Sequence, residues 1–372
     1  MVHNSEAQRK PTIKQVEINT IATSFGGLAP RVASLHQYLI SIDAYPVPTA
    51  SQIHLEALPS NPSTEKLAAG LARAHFAYGD SQSTHPTCIV IITQDFERNV
   101  FDQKHVELSL IAQTKSKVFR LAFSQILNHT RLDDRRGLLF SPPAFPERTY
   151  EVTTVYFRAG YSPDEYDDTA WQARTQIERS RAIKCPSVLL HLAGMKKVQQ
   201  VLATPHSPHL DKFLATESAR ESVRGTFAPM YPMDTSLAGL EGRKLATNPE
   251  TARRFVLKPQ REGGGNNIYR AAIPPFLQSI PESQWPAYVL MEIIEPPTQQ
   301  NSILRHSEVQ SGGVICELGV FGTILWRKEG QGIQVLENSE AGHLLRTKGD
   351  QSEEGGVAAG FGALDSVCLV DA

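Results

Sequence analysis

TCIVIIT, residues 87–93, is the stretch that most limits what this chain can build. An unbroken apolar run from Cys88 to Ile92, rich in β-branched side chains, is too short for a stable helix and too uniform for a half-exposed strand. It fits a strand buried on both faces, as the strands of a parallel sheet are, and such a strand opens an α/β unit. Other segments agree with a mixed α/β chain. VTTVYFRAGY (152–161) reads as a second strand with Arg158 at its exit. Asn61-Pro62 starts a helix, with proline at its first position; Leu67, Leu71, Ala74 and Tyr78 follow at helical spacing and Gly79 closes it. Trp171 to Lys184 reads as a helix stopped by Pro186, and Lys196 to Leu202 as another.

KQVEINTI (14–21) alternates apolar and polar residues, which predicts a strand with Glu17 and Asn19 on one face. Phe255–Lys258 reads as a strand with Phe255 and Leu257 on one side and Val256 and Lys258 on the other. AYVLMEIIEP (287–296) and GGVICELGVFGTILW (312–326) read as antiparallel strands of one sheet. Positions 203–254 carry no periodic pattern, and the glycines from Gly349 to Gly362 predict a loop.

Composition narrows the function classes. A chain of 372 residues holds two or three structural units, and 41% apolar with 20% charged residues is ordinary for a globular protein. A formal net charge of −2 argues against a nucleic-acid surface built on bulk positive charge, but leaves room for small anionic ligands. No apolar run approaches a membrane span, and MVHNSEAQRKPTIK lacks the apolar core of a secretory signal, so the cytoplasm is the default. Cys88, Cys185, Cys316 and Cys368 are widely spaced and form no metal knuckle; buried free thiols are the expectation.

The chemistry centres on FVLKPQREGGGNNIY (255–269). A glycine-rich loop can lay backbone N–H groups against phosphate oxygens, Lys258 adds fixed positive charge, and Glu262 offers a hard oxygen to Mg²⁺. No Gly-Lys-Ser/Thr follows, so this is not a P-loop. Glu17 and Asn19 can reach one cation together. Glu292 and Glu317 lie in apolar strands, where a carboxylate must be paired, solvated or functional. Arg346 and Lys348 add two cations before the glycine-rich tail. Together these residues suit a nucleoside triphosphate, one or two Mg²⁺ and an anionic substrate, acting by alignment and charge neutralisation.

Nine blocks, in order and spread over nearly the whole chain, resemble eukaryotic glutathione synthetases, members of the ATP-grasp ligases: KQVEINTIATSFGGLA (14–29), ERNVFDQ (97–103), YFRAGY (156–161), GMKKVQQ (194–200), FVLKPQREGGGNNIY (255–269), LMEIIEP (290–296), CELGVFG (316–322), HLLRTK (343–348) and GGVAAG (355–360). The resemblance implies an α/β (α+β) ATP-grasp fold with an inserted α/β substrate-binding domain. Its divisions would be residues 1–85, the N-terminal ATP-grasp part; 86–194, the substrate-binding domain; and 195–372, the ATP-binding part with its lid loops.

The implied reaction joins γ-glutamylcysteine and glycine at the expense of ATP through an acyl phosphate, giving glutathione, ADP and phosphate. Arg158, Lys258 and Arg346 would be catalytic. Glu17, Asn19 and Glu262 would hold Mg²⁺. ATP would be met by Lys196, Lys258, Gly263, Gly264, Gly265, Asn266, Asn267, Tyr269, Met291, Glu292, Ile294, Glu317, Lys348 and Glu354, with Met291 and Ile294 on adenine or in the core. The peptide substrate would be met by Ser24, Glu97, Asn99, Gln103, Arg158, Tyr161, Arg346, Val357 and Ala358. A cytoplasmic homodimer, with no nucleic-acid or membrane partner, completes the expectation.

The chain departs from the family pattern at Ala22, where serine is usual, at Ala159, where an acidic residue is usual, and at Arg270, where glycine is usual. Met1 aligns with an internal methionine of the family, which places a family segment, with an arginine aimed at the substrate, upstream of it. The alternatives are therefore a truncated, catalytically impaired nucleotide-binding form, or a ligase for a glycine-like acceptor.

Overall fold

The computed structural model describes residues 1–3, 11–45, 53–261, 265–305, 307–353, 357, 360 and 362–370. In chain order the first elements are β1 (Val2–His3), β2 (Thr12–Ile13), α1 (Ala29–Ser41), α2 (Ser63–Tyr78), β3 (Thr87–Thr93), α3 (Val100–Thr114) and β4 (Lys117–Ala122). There follow α4 (Ile126–His129), β5 (Thr130–Leu132), β6 (Leu138–Phe140), β7 (Tyr150–Phe157), α5 (Asp168–Arg179), β8 (Ile183–Cys185), α6 (Val188–Ala193) and α7 (Lys196–Ala203). The remainder comprises α8 (Glu217–Thr226), β9 (Met230–Pro232), α9 (Leu237–Thr247), α10 (Pro249–Ala252), β10 (Phe255–Pro259), β11 (Ile268–Tyr269), α11 (Ile273–Ser279), β12 (Tyr288–Glu292), β13 (Gln299–Arg305), β14 (Glu308–Glu329), β15 (Gly332–Gly349) and β16 (Ala363–Asp365).

Two compact units share this chain: one holds Met1–Thr20, His191–Glu317 and Arg346–Ala363, the other Ile21–Leu190, Leu318–Leu345 and Leu364–Ala372. In the second unit TCIVIIT is the inner strand that its composition demands. β3 pairs in parallel with β4 on one side and β7 on the other, and its residues from Cys88 to Thr93 are all buried. The six-stranded sheet runs β4-β3-β7-β6-β5, with β8 also parallel to β7. Val90, Ile92, Val152, Val155 and Phe157 build one core; Ile89 packs with Ala68, Leu71, Ala72, Val106 and Leu110 of α2 and α3 in another.

In the first unit an antiparallel sheet runs β11-β10-β12-β9. Its strands alternate as a strand must. Phe255, Leu257 and Leu290 enter one apolar cluster, and Val256, Val289 and Met291 enter another. β13 pairs antiparallel with the start of β14.

Several expectations need correction. KQVEINTI is not a strand: only Gln15 bridges, to Phe227, and the rest is irregular. The helix expected to reach Lys184 ends at Arg179, and Ile183–Cys185 form β8 instead, because their backbone groups complete the edge of β7. Pro62 caps α2 rather than occupying its first turn. Residues 203–254 hold two substantial helices, each with a polar cap: Thr216 accepts from Ala219 N–H and Ser236 from Gly239 N–H. The stretches 287–296 and 312–326 lie in different sheets, that of β10 and that of β14. Of the glycine-rich tail, residues 354–356, 358–359 and 361 lie outside the described residues.

Candidate active site

Lys258 lies on β10 beside Val256, on the face that buries Met291, and only 6% of it is exposed. Lys196 opens α7 and is also buried. Its ammonium donates to the Arg261 carbonyl at 2.9 Å and lies 3.7 Å from the Glu17 carboxylate. The Asn19 amide donates to the same carboxylate at 3.2 Å. Burial alone would raise the Glu17 carboxyl. The charges of Lys258 and Lys196, the Asn19 hydrogen bond and the more distant Arg346 outweigh it and hold the group below the usual carboxylate range. Glu17 is therefore a fixed anion between two cations that apolar packing keeps in place.

A second charged chain lies in the same unit. Arg346 and Lys348, two apart on β15, share one face of the strand. Arg346 donates to Glu317 at 2.8 Å, and Lys348 lies 3.7 Å from the other oxygen of that carboxylate. Met291 is buried with Val256, Val289, Met230 and Ala228, with Tyr269 and Ile294 packed against them. Asn267 donates to the Tyr269 hydroxyl at 3.2 Å. Glu292 stands apart: strand alternation puts its side chain on the opposite face from Met291, where it pairs with Arg254. Its carboxylate is not among the groups around Lys258, so what it keeps near Met291 is its backbone.

The second unit gathers most of the residues expected to meet a peptide. Arg158, 4% exposed, follows β7 and donates to the Thr23 carbonyl, to Ser24 Oγ at 3.2 Å and to the Tyr156 hydroxyl at 3.3 Å. Its Nε is buried without a partner. Burial works against its charge; Tyr156 and the carboxylates of Asp102 and Glu97 outweigh this and raise its pKa. Tyr161 accepts from Gln94 at 2.9 Å, and Glu97 accepts from the Asn99 N–H at 2.7 Å. Gln103 is buried on α3 with its oxygen taken by Arg120 at 2.6 Å.

Asp102 escaped the sequence reading. It is 2% exposed and accepts from the N–H groups of Phe25 and Gly27, both at 2.7 Å, and of Leu28 at 3.0 Å. It thus holds the SFGG turn that carries Ser24. Gly27 is required there, because a Cβ would meet the Asp102 carbonyl at 2.2 Å. The signal was present: an acidic residue in the first turn of α3 needs donors, and a glycine turn has them to spare. Gln260 also escaped; its oxygen accepts the Lys197 N–H at 3.0 Å and so caps the helix of Lys196.

Glu17 and Asn19 place a hard carboxylate and a carboxamide side by side, donor types that fit Mg²⁺. Among the described residues no group of three or more His, Cys, Asp or Glu could hold a metal. Glu262, Gly263, Gly264, Glu354 and Ala358 lie outside the described residues; Val357 and Gly265 are described, the latter with φ of 74°.

Over residues 1–369 the sequence matches the family described as eukaryotic glutathione synthase, ATP binding domain. The chain belongs to this family. It is 38% identical over 369 residues to the glutathione synthetase large chain of Schizosaccharomyces pombe, covering 96% of this chain and 71% of that one. It is 39% identical over 364 residues to glutathione synthetase of Homo sapiens, covering 97% and 71%. The Dictyostelium discoideum glutathione synthetase is 34% identical, over 99% and 75%. Among solved structures, a glutathione synthetase-like effector from Globodera pallida in apo form superposes with a TM-score of 0.70 at 19% identity, over 99% of this chain and 75% of that one. The fold is mixed α/β of the ATP-grasp type.

Proposed function

We propose that this chain is a glutathione synthetase, an ATP-dependent carbon–nitrogen ligase that joins γ-glutamylcysteine to glycine and releases ADP and phosphate. Membership of the glutathione synthase family supports the reaction. The observation that carries the site is the Glu17 carboxylate held ionised between buried Lys258 and Lys196.

The roles follow from charge and placement. Lys258 and Lys196 neutralise phosphate oxygens, and the Arg346–Glu317–Lys348 chain presents further cations that its central carboxylate keeps aligned. Met291 and Ile294 offer the adenine an apolar wall. Glu17 and Asn19, with Glu262, would hold Mg²⁺, which when bound adds charge neutralisation at the phosphates. The first covalent step is attack of the cysteinyl carboxylate on the γ-phosphorus, forming an acyl phosphate and ADP. The amine of glycine then attacks the acyl carbon, and phosphate leaves with the former carboxylate oxygen. In the second unit Arg158, with Ser24, Glu97, Asn99, Gln103 and Tyr161, serves the peptide substrate. That reading keeps residues 86–194 as the substrate-binding domain between ATP-grasp parts at 1–85 and 195–372, with Val357 and Ala358 meeting substrate through their backbone. A cytoplasmic homodimer belongs to the same proposal; among the described residues no helix is long and apolar enough to cross a membrane.

Phosphate release from purified protein should require ATP, Mg²⁺, γ-glutamylcysteine and glycine together, and chelating the metal should abolish it. Release indifferent to the peptide and to glycine would refute the proposal.

A further inference from the structure

Arg270 follows directly on β11 with φ of 52°, a left-handed conformation that glycine adopts freely and a side chain with a Cβ does not. Such a backbone persists only where the surroundings hold it. Two contacts tie its side chain down here. The Arg270 Nε donates to the Glu353 carboxylate at 2.9 Å, and one Nη donates to the Arg253 carbonyl at 3.0 Å. The backbone carbonyl of Glu353 in turn accepts the Lys348 ammonium at 3.0 Å. Lys348 is 3.7 Å from Glu317, which is bound by Arg346. A line of alternating groups therefore runs from Arg270 to the cations of β15, all within one unit.

We propose that Arg270 is a positioning residue for Lys348. By holding the Glu353 side chain it fixes the carbonyl that receives the Lys348 ammonium, and so sets where that charge meets the nucleotide. The inference rests on the ATP-dependent reading of this site. A purely structural ion pair is a poor explanation. The Arg270 and Glu353 side chains are 40% and 47% exposed, a setting in which a pair adds little to stability and does not justify a strained backbone. Lysine cannot replace the arginine fully, because a single ammonium does not reproduce a planar fork that reaches Glu353 and the Arg253 carbonyl in two directions.

The test is a set of variants, Arg270→Gly, Arg270→Lys, Glu353→Gln and the double Arg270→Gly/Glu353→Gln. Each is measured for melting temperature, for ATP dissociation constant by calorimetry, and for KM and kcat. Arg270→Gly relieves the backbone and should melt no lower than wild type. Its ATP dissociation constant and KM should nonetheless rise about threefold to tenfold, with kcat changed less. Arg270→Lys should recover part of this loss. Glu353→Gln should match Arg270→Gly, and the double variant should be no worse than either single one, because both break one linkage. Raising salt should narrow the gap between wild type and Arg270→Gly, since the pair is exposed. ATP affinity within twofold of wild type in Arg270→Gly, or a melting temperature that falls in step with affinity, would overturn the inference. A wild type that binds ATP but makes no glutathione would sink the ligase reading alone, because ATP affinity still reports on Arg270. A wild type that binds no ATP would remove both.

Discussion

Lys258 is the penultimate residue of a strand whose neighbouring side chains are apolar, and its side chain lies on the Met291 face. Replacing it with methionine keeps the shape of the stem and removes the charge. Lys258→Met should therefore lower kcat/KM by about a hundredfold or more, the scale of losing one pre-organised charge, while the melting temperature changes little. Steady-state kinetics beside a thermal melt decides it; a near-wild-type rate would make the lysine structural. Glu151 shows the opposite kind of charged residue, one that serves the fold. Fully buried at the second residue of β7, it accepts from the Tyr78 hydroxyl, from Ser81 Oγ at 2.6 Å, from the Ser83 N–H at 2.9 Å and from Arg181 at 2.8 Å. Burial would raise its pKa, but hydrogen bonds from Ser81, Tyr78 and Ser83 outweigh this and depress it to about 2. The unfolded value is about 4.3, so the folded protein binds the proton less readily. This stabilisation is complete above the unfolded value and is lost as pH falls toward 2. Urea midpoints should drop steeply between about pH 5 and 2.5 in wild type and less steeply in Glu151→Gln. Parallel slopes for the two proteins would contradict that account.

Among the elements, the SFGG turn shows how a loop becomes a rigid part of a site. Two of its N–H groups and that of the following Leu28 end on one buried carboxylate, Asp102, while the Thr23 carbonyl before it and the Ser24 hydroxyl receive Arg158. Asp102→Ala should cost about 1–3 kcal/mol of stability, since it leaves the buried Gly27 N–H and two half-buried neighbours unpaired. The KM for γ-glutamylcysteine should rise while the ATP dissociation constant stays near wild type; the reverse split would show that the turn does not serve the peptide. What the sequence revealed of such elements depended on how strongly each pattern was forced. β3 was legible because no other structure satisfies an uninterrupted apolar run of that length. The two faces of β10 were legible from simple alternation. KQVEINTI alternates equally well, yet only Gln15 finds a β partner, because alternation describes side chains and says nothing of which backbone lies alongside. The helices α8 and α9 were missed because their sequences are polar and glycine-containing, although Thr216 and Ser236 announce their starts. The charged candidates were named from their chemistry and the resemblance. Asp102 left a weak signal at the start of α3, whereas Gln260, which caps a helix more than sixty residues before it, could not be found until its partner Lys197 was placed.

At the scale of the whole molecule, the described charged candidates divide into two groups, one in each compact unit. In the first, Lys196 lies beside Glu17, and Arg346 and Lys348 share Glu317. In the second, the buried Arg158 donates to the Ser24 and Tyr156 hydroxyls and feels the charges of Asp102 and Glu97. The account of the whole is that ATP activates a carboxylate of γ-glutamylcysteine and that glycine then displaces phosphate. The most direct test labels the cysteinyl carboxylate of γ-glutamylcysteine with ¹⁸O and follows the oxygen by mass spectrometry during turnover with unlabelled ATP and glycine. The account predicts that each glutathione formed is matched by one phosphate carrying a single ¹⁸O. Glutathione formed with unlabelled phosphate, or no glutathione while ATP is consumed, would contradict it.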